Sequence, residues 1–180
     1  MTFASYLSLT RALMIIPIIF LHGQHLIVFS LFVLAALTDW LDGYIARKTK
    51  TESNIGALLD LLADKILVSL SLIWLIYLYQ DAYIFVPSLI IISRELIISS
   101  IRQYIVEKSE GKKIEVSFIG KSKTTLQLVA ISMLFLLPIF GRDFYLLTIS
   151  ILWMSSFISI FSTRNFHSST FDESDLKDAD

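Results

Sequence analysis

Six apolar segments dominate this sequence, and each is close to the length that a helix needs to cross a bilayer, about 20 mostly apolar residues. They run over Ser5–Leu21, Leu26–Arg47, Asn54–Tyr79, Ala82–Val106, Val116–Phe140 and Phe144–Phe161, with short polar connections between them. Hydrophobic residues make up 55% of the chain and the mean hydropathy is +0.70, which is too apolar for a soluble domain of this size. We therefore predict an all-α, polytopic membrane protein with six transmembrane helices.

The rest of the composition excludes several classes of protein. The chain has no cysteine, so disulfides, thiolate catalysis and Cys-ligated zinc are excluded. The net charge is −1 and no basic or Gly-rich tract indicates nucleic-acid binding. The first apolar segment carries Arg11 and no small-residue cleavage site, which favours a retained helix over a signal peptide. We expect one membrane domain over residues 1–163 and an acidic, disordered tail over residues 164–180.

Basic residues are concentrated at two of the five connections. They flank the second and the fourth connection, at Arg47, Lys48, Lys50, Lys108, Lys112, Lys113, Lys121 and Lys123. The first and third connections have none, and the fifth has only Arg142. The positive-inside rule therefore places the second and fourth connections in the cytoplasm. With six spans, both termini are then cytoplasmic as well.

Four aspartates lie in otherwise apolar sequence, at Asp39, Asp42, Asp60 and Asp64. The first two and the last two are spaced so that each pair shares one face of a helix. If the chain folds back near Thr51, the two pairs lie at matching distances from the turn. Four unpaired carboxylates there would repel one another, and divalent cations would remove that repulsion. Because oxygen-only ligation favours Mg²⁺ or Mn²⁺ over zinc, we predict a metal cage that opens to the cytoplasm.

A metal cage of this kind suits phosphate chemistry. Two divalent ions can clamp a phosphate and stabilise a leaving phosphate, and a carboxylate beside them can act as a general base. Small residues near the aspartates let a flat ligand or another backbone approach, and they are Gly43, Ala46 and Gly56. Arg47 could bind a phosphate with its guanidinium fork. Small residues in membrane helices are more often plain packing positions, so this alternative stays open.

Together these residues resemble a known family signature. The pattern Asp39-x2-Asp42-Gly43-x2-Ala46-Arg47-x8-Gly56-x3-Asp60-x3-Asp64 matches, without a gap or a substitution, that of the CDP-alcohol phosphotransferase family. Members of that family are six-helix membrane enzymes, commonly homodimers, that transfer a substituted phosphate from a CDP-linked donor to an alcohol and release CMP. The resemblance implies that the four aspartates hold two divalent cations, with Asp64 also the base. It further implies that Gly43, Ala46, Arg47 and Gly56 line the CDP-donor site.

Two later segments resemble the acceptor-side motifs of the phosphatidylglycerophosphate synthase branch of that family. They are Ser93-Arg94-Glu95, followed by Arg102, and Gly120-Lys121-Ser122-Lys123-Thr124-x2-Gln127. Enzymes of this branch condense CDP-diacylglycerol with sn-glycerol 3-phosphate, and an acceptor that already carries a phosphate needs cations besides the metal pair. The resemblance implies an acceptor site formed by Arg94, Arg102, Lys121, Lys123, Thr124 and Gln127. The alternatives are snorkelling for the two arginines and attraction to anionic headgroups for the two lysines.

The N-terminus departs from the family pattern. The family often begins with Asn-x2-Thr-x2-Arg and then a Pro, whereas this chain has Ser5-x2-Ser8-x2-Arg11 with Pro17 slightly late. By this alignment Arg11 would face the acceptor site. The resemblance extends to about Gln127, and the last two spans match only as generic membrane helices.

The sequence thus predicts a metal-dependent phosphatidyltransferase of phospholipid biosynthesis in the bacterial inner membrane, with its active site facing the cytoplasm. Two alternatives stay open. The first is another acceptor in the same family, either phosphatidylglycerol, as in a cardiolipin synthase, or an inositol phosphate. The second is a cation transporter whose carboxylates bind a permeating ion. The transporter is disfavoured because the carboxylates cluster near one face and the last two spans offer no polar path.

Overall fold

A computed structural model of the chain describes residues 9–49, 54–108 and 118–175, and the side chains of residues 9–38, 62–101 and 124–162. The backbone in these ranges is helical apart from short connections, and no strand occurs in them. A helical stretch at residues 9–13 leads into α1 (Ile15–Phe20), α2 (His25–Thr49), α3 (Asn54–Tyr79), α4 (Ala82–Lys108), α5 (Phe118–Leu136) and α6 (Arg142–Asp175). The prediction of an all-α fold is confirmed.

Three of the helices contain a window that is long and apolar enough to cross a membrane, namely Leu62–Tyr79, Ala82–Ile101 and Arg142–Ser162. Shorter apolar stretches occupy Leu9–Phe20, His25–Thr38 and Thr124–Leu136. No more than a third of any of the three windows is buried, so the other side chains in these windows are partly or fully exposed. Apolar side chains at this density require an apolar surrounding, and the chain is a membrane protein. The count of six spans stays a prediction.

Local chemistry explains where several helices are interrupted. Pro17 lacks an N–H and its ring would collide with the carbonyl of residue 13 in a continuous helix, and the backbone turns at Met14 between the stretch 9–13 and α1. After α3, Gln80 adopts a left-handed φ of 48°. Asp81 then caps α4, because its Oδ1 accepts a hydrogen bond from the Tyr83 backbone N–H at 2.8 Å. The predicted two-residue connection at Gln80 and Asp81 is confirmed.

The two helices that carry the aspartates are packed against shared neighbours. Both α1 and α5 contact α2, and both also contact α3. The other contacts join α4 to α3 and to α6, and α5 to α6. Buried side chains fill the space between these helices, among them Ile18, Val28, Phe32, Leu67, Leu72, Ile131 and Leu134. In this way α1 and α5 hold α2 and α3 within one bundle.

Hydrogen bonds and aromatic contacts cross the end of the bundle where α3 ends, which we call the distal end. The Tyr79 hydroxyl donates to the Leu134 carbonyl oxygen at 2.7 Å, which joins α3 to α5. The Tyr145 hydroxyl of α6 donates to the Asp81 carboxylate. A neutral hydrogen bond typically contributes about 0.5–1.5 kcal/mol, and one to a charged group about 1.5–3 kcal/mol. The first bond joins the end of α3 to α5, and the second joins the α3–α4 connection to α6.

The last helix extends beyond the predicted membrane domain. The helical backbone of α6 continues to Asp175, whereas the sequence predicted a disordered tail from residue 164. The domain boundary at residue 163 stays a prediction.

Candidate functional site

The register of α2 places part of the signature on the helix face that packs into the bundle. Val28, Phe32 and Ala35 are buried, and their spacings of four and three residues define that face. Continued at 3.6 residues per turn along the helical backbone, the same face includes positions 39, 42 and 46. These positions hold two of the aspartates and the alanine of the signature. Their side chains lie outside the described residues.

The register of α3 does the same for the second half of the signature. Ala63, Leu67 and Ser71 are buried on one face. Positions 56 and 60 fall on the same face, because each lies two helical turns, or seven residues, before Ala63 and Leu67 respectively. Position 64 lies at the edge of the same face. The predicted meeting of the carboxylates in one cage depends on side chains outside the described residues, namely those of Asp39, Asp42 and Asp60. The same holds for the predicted donor-site residues Gly43, Ala46, Arg47 and Gly56.

Asp64 is the signature aspartate whose side chain the structure describes, and it forms an ion pair with Arg11. The Arg11 Nη1 donates to the Asp64 Oδ1 at 2.7 Å, which is the short distance expected of a charge-assisted hydrogen bond. The Arg11 side chain is 1% exposed, whereas that of Asp64 is 42% exposed. Arg11 therefore contacts the carboxylate from inside the bundle, and Asp64 is accessible from the other side.

Sequence reasoning did not predict this pair. It assigned Arg11 to the acceptor side on the family alignment and gave Asp64 no protein partner. One signal was present, since a charged residue within an apolar span usually faces a partner or a polar cavity. The pattern could not identify the partner because the two residues are 53 positions apart.

Two contacts set the register of the first helix along α3. At one end Arg11 pairs with Asp64, and at the other the ring of His22 packs edge-on against Trp74 with centroids 5.8 Å apart. The two contacts are separated by similar lengths of chain, eleven residues from Arg11 to His22 and ten from Asp64 to Trp74, and they follow each other in the same direction on both segments. The two segments therefore run parallel and side by side. Ile15 is buried between the two contacts.

A second polar group joins α3, α4 and α6 near the same level. Arg94 donates from Nε to the Ser159 carbonyl oxygen at 3.1 Å, from Nη2 to Ser162 Oγ at 3.2 Å and from Nη1 to Glu95 Oε1 at 3.1 Å. The Lys65 ammonium donates to the Glu95 carbonyl oxygen at 3.4 Å. Arg94 thus holds α6 against α4, a structural role that the sequence did not predict. Its predicted contact with an acceptor stays a prediction.

The other predicted acceptor residues are described in part. The side chains of Arg102, Lys121 and Lys123 lie outside the described residues. Thr124 is exposed. Gln127 is 2% exposed, and its Nε2 has no hydrogen-bond partner among the described residues. A buried amide without a partner is unfavourable by about 1–3 kcal/mol, and a polar ligand could supply the missing acceptor.

Gln127 does not lie at the level of Asp64 along the bundle. The bond between Tyr79 and Leu134 sets a common level for α3 and α5 at the distal end. From there Asp64 is about 22 Å away along α3 and Gln127 about 10 Å along α5, at 1.5 Å per residue. Gln127 would therefore contact a ligand only on the distal side of Asp64.

The metal prediction can be compared with the described part of the site. No group of three or more His, Cys, Asp or Glu side chains occurs within the described residues, which include Asp64 but not the side chains of the other three aspartates. Asp64 itself fits the prediction, because its carboxylate is 42% exposed opposite a buried arginine. A carboxylate oxygen in this setting suits Mg²⁺ or Mn²⁺, which prefer oxygen ligands.

Comparison with known families agrees with the signature. Residues 1–161 match the sequence model of the CDP-alcohol phosphatidyltransferase family. The chain belongs to the CDP-alcohol phosphatidyltransferase family, and the predicted resemblance is confirmed. Enzymes of this family generally depend on divalent cations.

Curated relatives are similar to a part of the chain. A protein of Wigglesworthia glossinidia brevipalpis is 48% identical over 101 residues, 56% of each chain, and one of Haemophilus influenzae is 46% identical over 101 residues, 56% of this chain and 55% of its own. A protein of Salmonella typhimurium is 39% identical over 108 residues, 60% of this chain and 59% of its own. All three are named CDP-diacylglycerol–glycerol-3-phosphate 3-phosphatidyltransferase. The chain thus spans a little over half the length of the curated relatives it matches.

The contacts of Arg94 generate a prediction about stability. Arg94→Met removes the three donors and keeps an apolar side chain, so we expect the free energy of unfolding to fall by about 2–4 kcal/mol. Ser162→Ala removes one neutral partner and should lower it by about 1 kcal/mol. Thermal unfolding in detergent would measure both. Equal midpoints for Arg94→Met and the unmodified chain would show that Arg94 does not hold α6.

Proposed function

We propose that this chain transfers the phosphatidyl group of CDP-diacylglycerol to sn-glycerol 3-phosphate, forming phosphatidylglycerophosphate and releasing CMP. The observation that carries the proposal is the uninterrupted signature from Asp39 to Asp64, within a family match that covers residues 1–161. The relatives named for this reaction support the choice of substrates.

The donor site is proposed on α2 and α3. Asp39, Asp42, Asp60 and Asp64 would hold two divalent cations, Mg²⁺ or Mn²⁺, which when bound neutralise the charge of a diphosphate. Gly43, Ala46, Arg47 and Gly56 would line the site for the cytidine diphosphate. The helical registers support this arrangement, since positions 39, 42 and 46 of α2 share the face of buried residues, as do positions 56 and 60 of α3.

In the proposed reaction the Asp64 carboxylate takes the proton of the acceptor hydroxyl as a general base. The acceptor oxygen then forms a bond to the phosphorus nearer the lipid, and the bond from that phosphorus to the CMP oxygen breaks. Arg47 would bind the departing CMP phosphate through its guanidinium. Because donor and acceptor bind at one site, no covalent enzyme intermediate is required.

The acceptor site is proposed near Asp64, with Arg94, Arg102, Lys121, Lys123 and Thr124, and with Gln127 on the distal side. The amide of Gln127, buried and without a partner among the described residues, supports a polar ligand in this part of the bundle. Because Arg94 already donates hydrogen bonds to α6, it has fewer donors left for the acceptor's phosphate. The lysines and Arg102 would therefore supply most of the positive charge. Phosphatidylglycerol or an inositol phosphate as acceptor is the alternative within the family.

The protein would lie in a bacterial inner membrane with six spans, both termini and the active site facing the cytoplasm, and would form a homodimer. The uneven distribution of basic residues supports the orientation. The family resemblance supports the homodimer. A cation transporter is not favoured, because the family match covers residues 1–161 and is to a transferase.

The acceptor is tested by measuring CMP release. We expect the purified protein to release CMP from CDP-diacylglycerol with glycerol 3-phosphate in the presence of Mg²⁺ or Mn²⁺, and to lose this activity with a chelator. Phosphatidylglycerol and inositol phosphate serve as matched acceptors. CMP release with phosphatidylglycerol but not with glycerol 3-phosphate would contradict the proposed substrate.

The base is tested by an isosteric substitution. Asp64→Asn cannot take a proton, so turnover should fall by about 10²–10⁴-fold, whereas binding of CDP-diacylglycerol should be largely kept. The control is Asp81→Asn, the same change at the distal end, which should leave turnover near that of the unmodified chain. Substantial turnover in Asp64→Asn would exclude Asp64 as the base.

The orientation can be tested with single cysteines, because the chain has none of its own. Gly23→Cys lies in the first connection, where a Cβ would meet nothing within 4 Å, and Ser53→Cys lies in the second. In intact cells we expect a membrane-impermeant maleimide to label the cysteine at 23 and not the one at 53. Inverted vesicles should give the opposite result. The same labelling pattern for both variants would contradict the proposed orientation.

A further inference from the structure

We infer that Arg11 is a positioning residue: it orients the carboxylate of Asp64 toward the donor's phosphates and their cations. This inference rests on the proposed function, since that function gives Asp64 its ligand. The family's N-terminal pattern would align Arg11 with the acceptor side, whereas neither the signature from Asp39 to Asp64 nor the segments around Arg94 and Lys121 include it.

The first argument is the asymmetry of the ion pair. The Arg11 side chain is 1% exposed and the Asp64 side chain 42% exposed, so the guanidinium approaches from the protein interior. Their 2.7 Å hydrogen bond is made to Oδ1. An ionised carboxylate has about four lone-pair directions on two oxygens, so this contact is compatible with a cation bound on the exposed side.

The second argument is that the position of Arg11 is itself fixed. Ile15 and Ile18 of α1 follow Arg11 by four and seven residues and are buried, at 6% and 0% exposure, and the contact of His22 with Trp74 holds the far end of the segment. A fixed donor restricts the carboxylate more than a flexible surface lysine would. Groups that orient a metal ligand typically change metal affinity or activity by about 10–100-fold when they are removed.

A purely structural ion pair would also explain burial, because an arginine in an apolar bundle needs a partner. The two roles differ in what Arg11 does to a ligand of Asp64. A structural pair affects folding only, whereas a positioning residue changes Mn²⁺ affinity, and does so only while Asp64 has its carboxylate.

The experiment is a double-mutant cycle on Mn²⁺ affinity, measured by electron paramagnetic resonance on the purified 180-residue chain in detergent. We expect Arg11→Met to weaken Mn²⁺ binding about 10–100-fold. In the Asp64→Asn background the same change should alter the remaining affinity by no more than about twofold, since interacting residues are non-additive. Ile84→Ala, at a fully buried position of α4 near the distal end, is the control for lost packing, and it should lower the unfolding midpoint while leaving Mn²⁺ affinity unchanged.

Arg11→Lys keeps the charge and removes the guanidinium fork, and it carries the test if Arg11→Met does not fold. We expect an affinity between those of the unmodified chain and Arg11→Met. Unchanged Mn²⁺ affinity in the folded variants, or equal losses with and without the Asp64 carboxylate, would overturn the inference. Failure of the proposed function is distinguishable, because the unmodified chain would then bind Mn²⁺ but release no CMP from CDP-diacylglycerol and glycerol 3-phosphate.

Discussion

The ion pair between Arg11 and Asp64 is the interaction on which the described part of the site depends. An arginine that is 1% exposed cannot be solvated by water, and in apolar surroundings an unpaired charge is strongly unfavourable. Asp64 provides an opposite charge at 2.7 Å from the guanidinium, and its carboxylate has a buried neighbour. The same bond brings the first helix against α3, so one contact determines both a helix position and the environment of the proposed base.

The two ends of the bundle use different chemistry. At the level of Asp64, full charges join the helices, with Arg11 on α3 and Arg94 between α4 and α6. At the distal end the links are hydroxyls, one aspartate and aromatic rings. Tyrosine and tryptophan are common at membrane–water interfaces because their rings are amphipathic. The concentration of charge at one end agrees with a site for anionic phosphates there.

The sequence predicts the helices well because they depend on local periodicity. Positions 39, 42 and 60 are assigned to the same helix faces as the buried residues of α2 and α3 by continuing the period of 3.6 residues. The partners of Arg11 and Arg94 were not predictable in this way. Asp64 is 53 positions from Arg11 and Ser159 is 65 positions from Arg94, so their proximity depends on how whole helices pack. The motif around Arg94 indicated an acceptor, and the structure adds contacts to α6 that a motif cannot reveal.

The neighbouring residues Asp64 and Lys65 bond to different helices, one to Arg11 and the other to the Glu95 carbonyl of α4. Successive side chains on a helix point about 100° apart, so α3 is attached in two directions at a single level. Rotation of α3 about its own axis would stretch at least one of these bonds. The orientation of the Asp64 carboxylate is therefore limited by the backbone of α3 as well as by its own side-chain torsions. A general base must lie within hydrogen-bonding distance of the proton that it takes, and a restricted carboxylate meets this condition more easily.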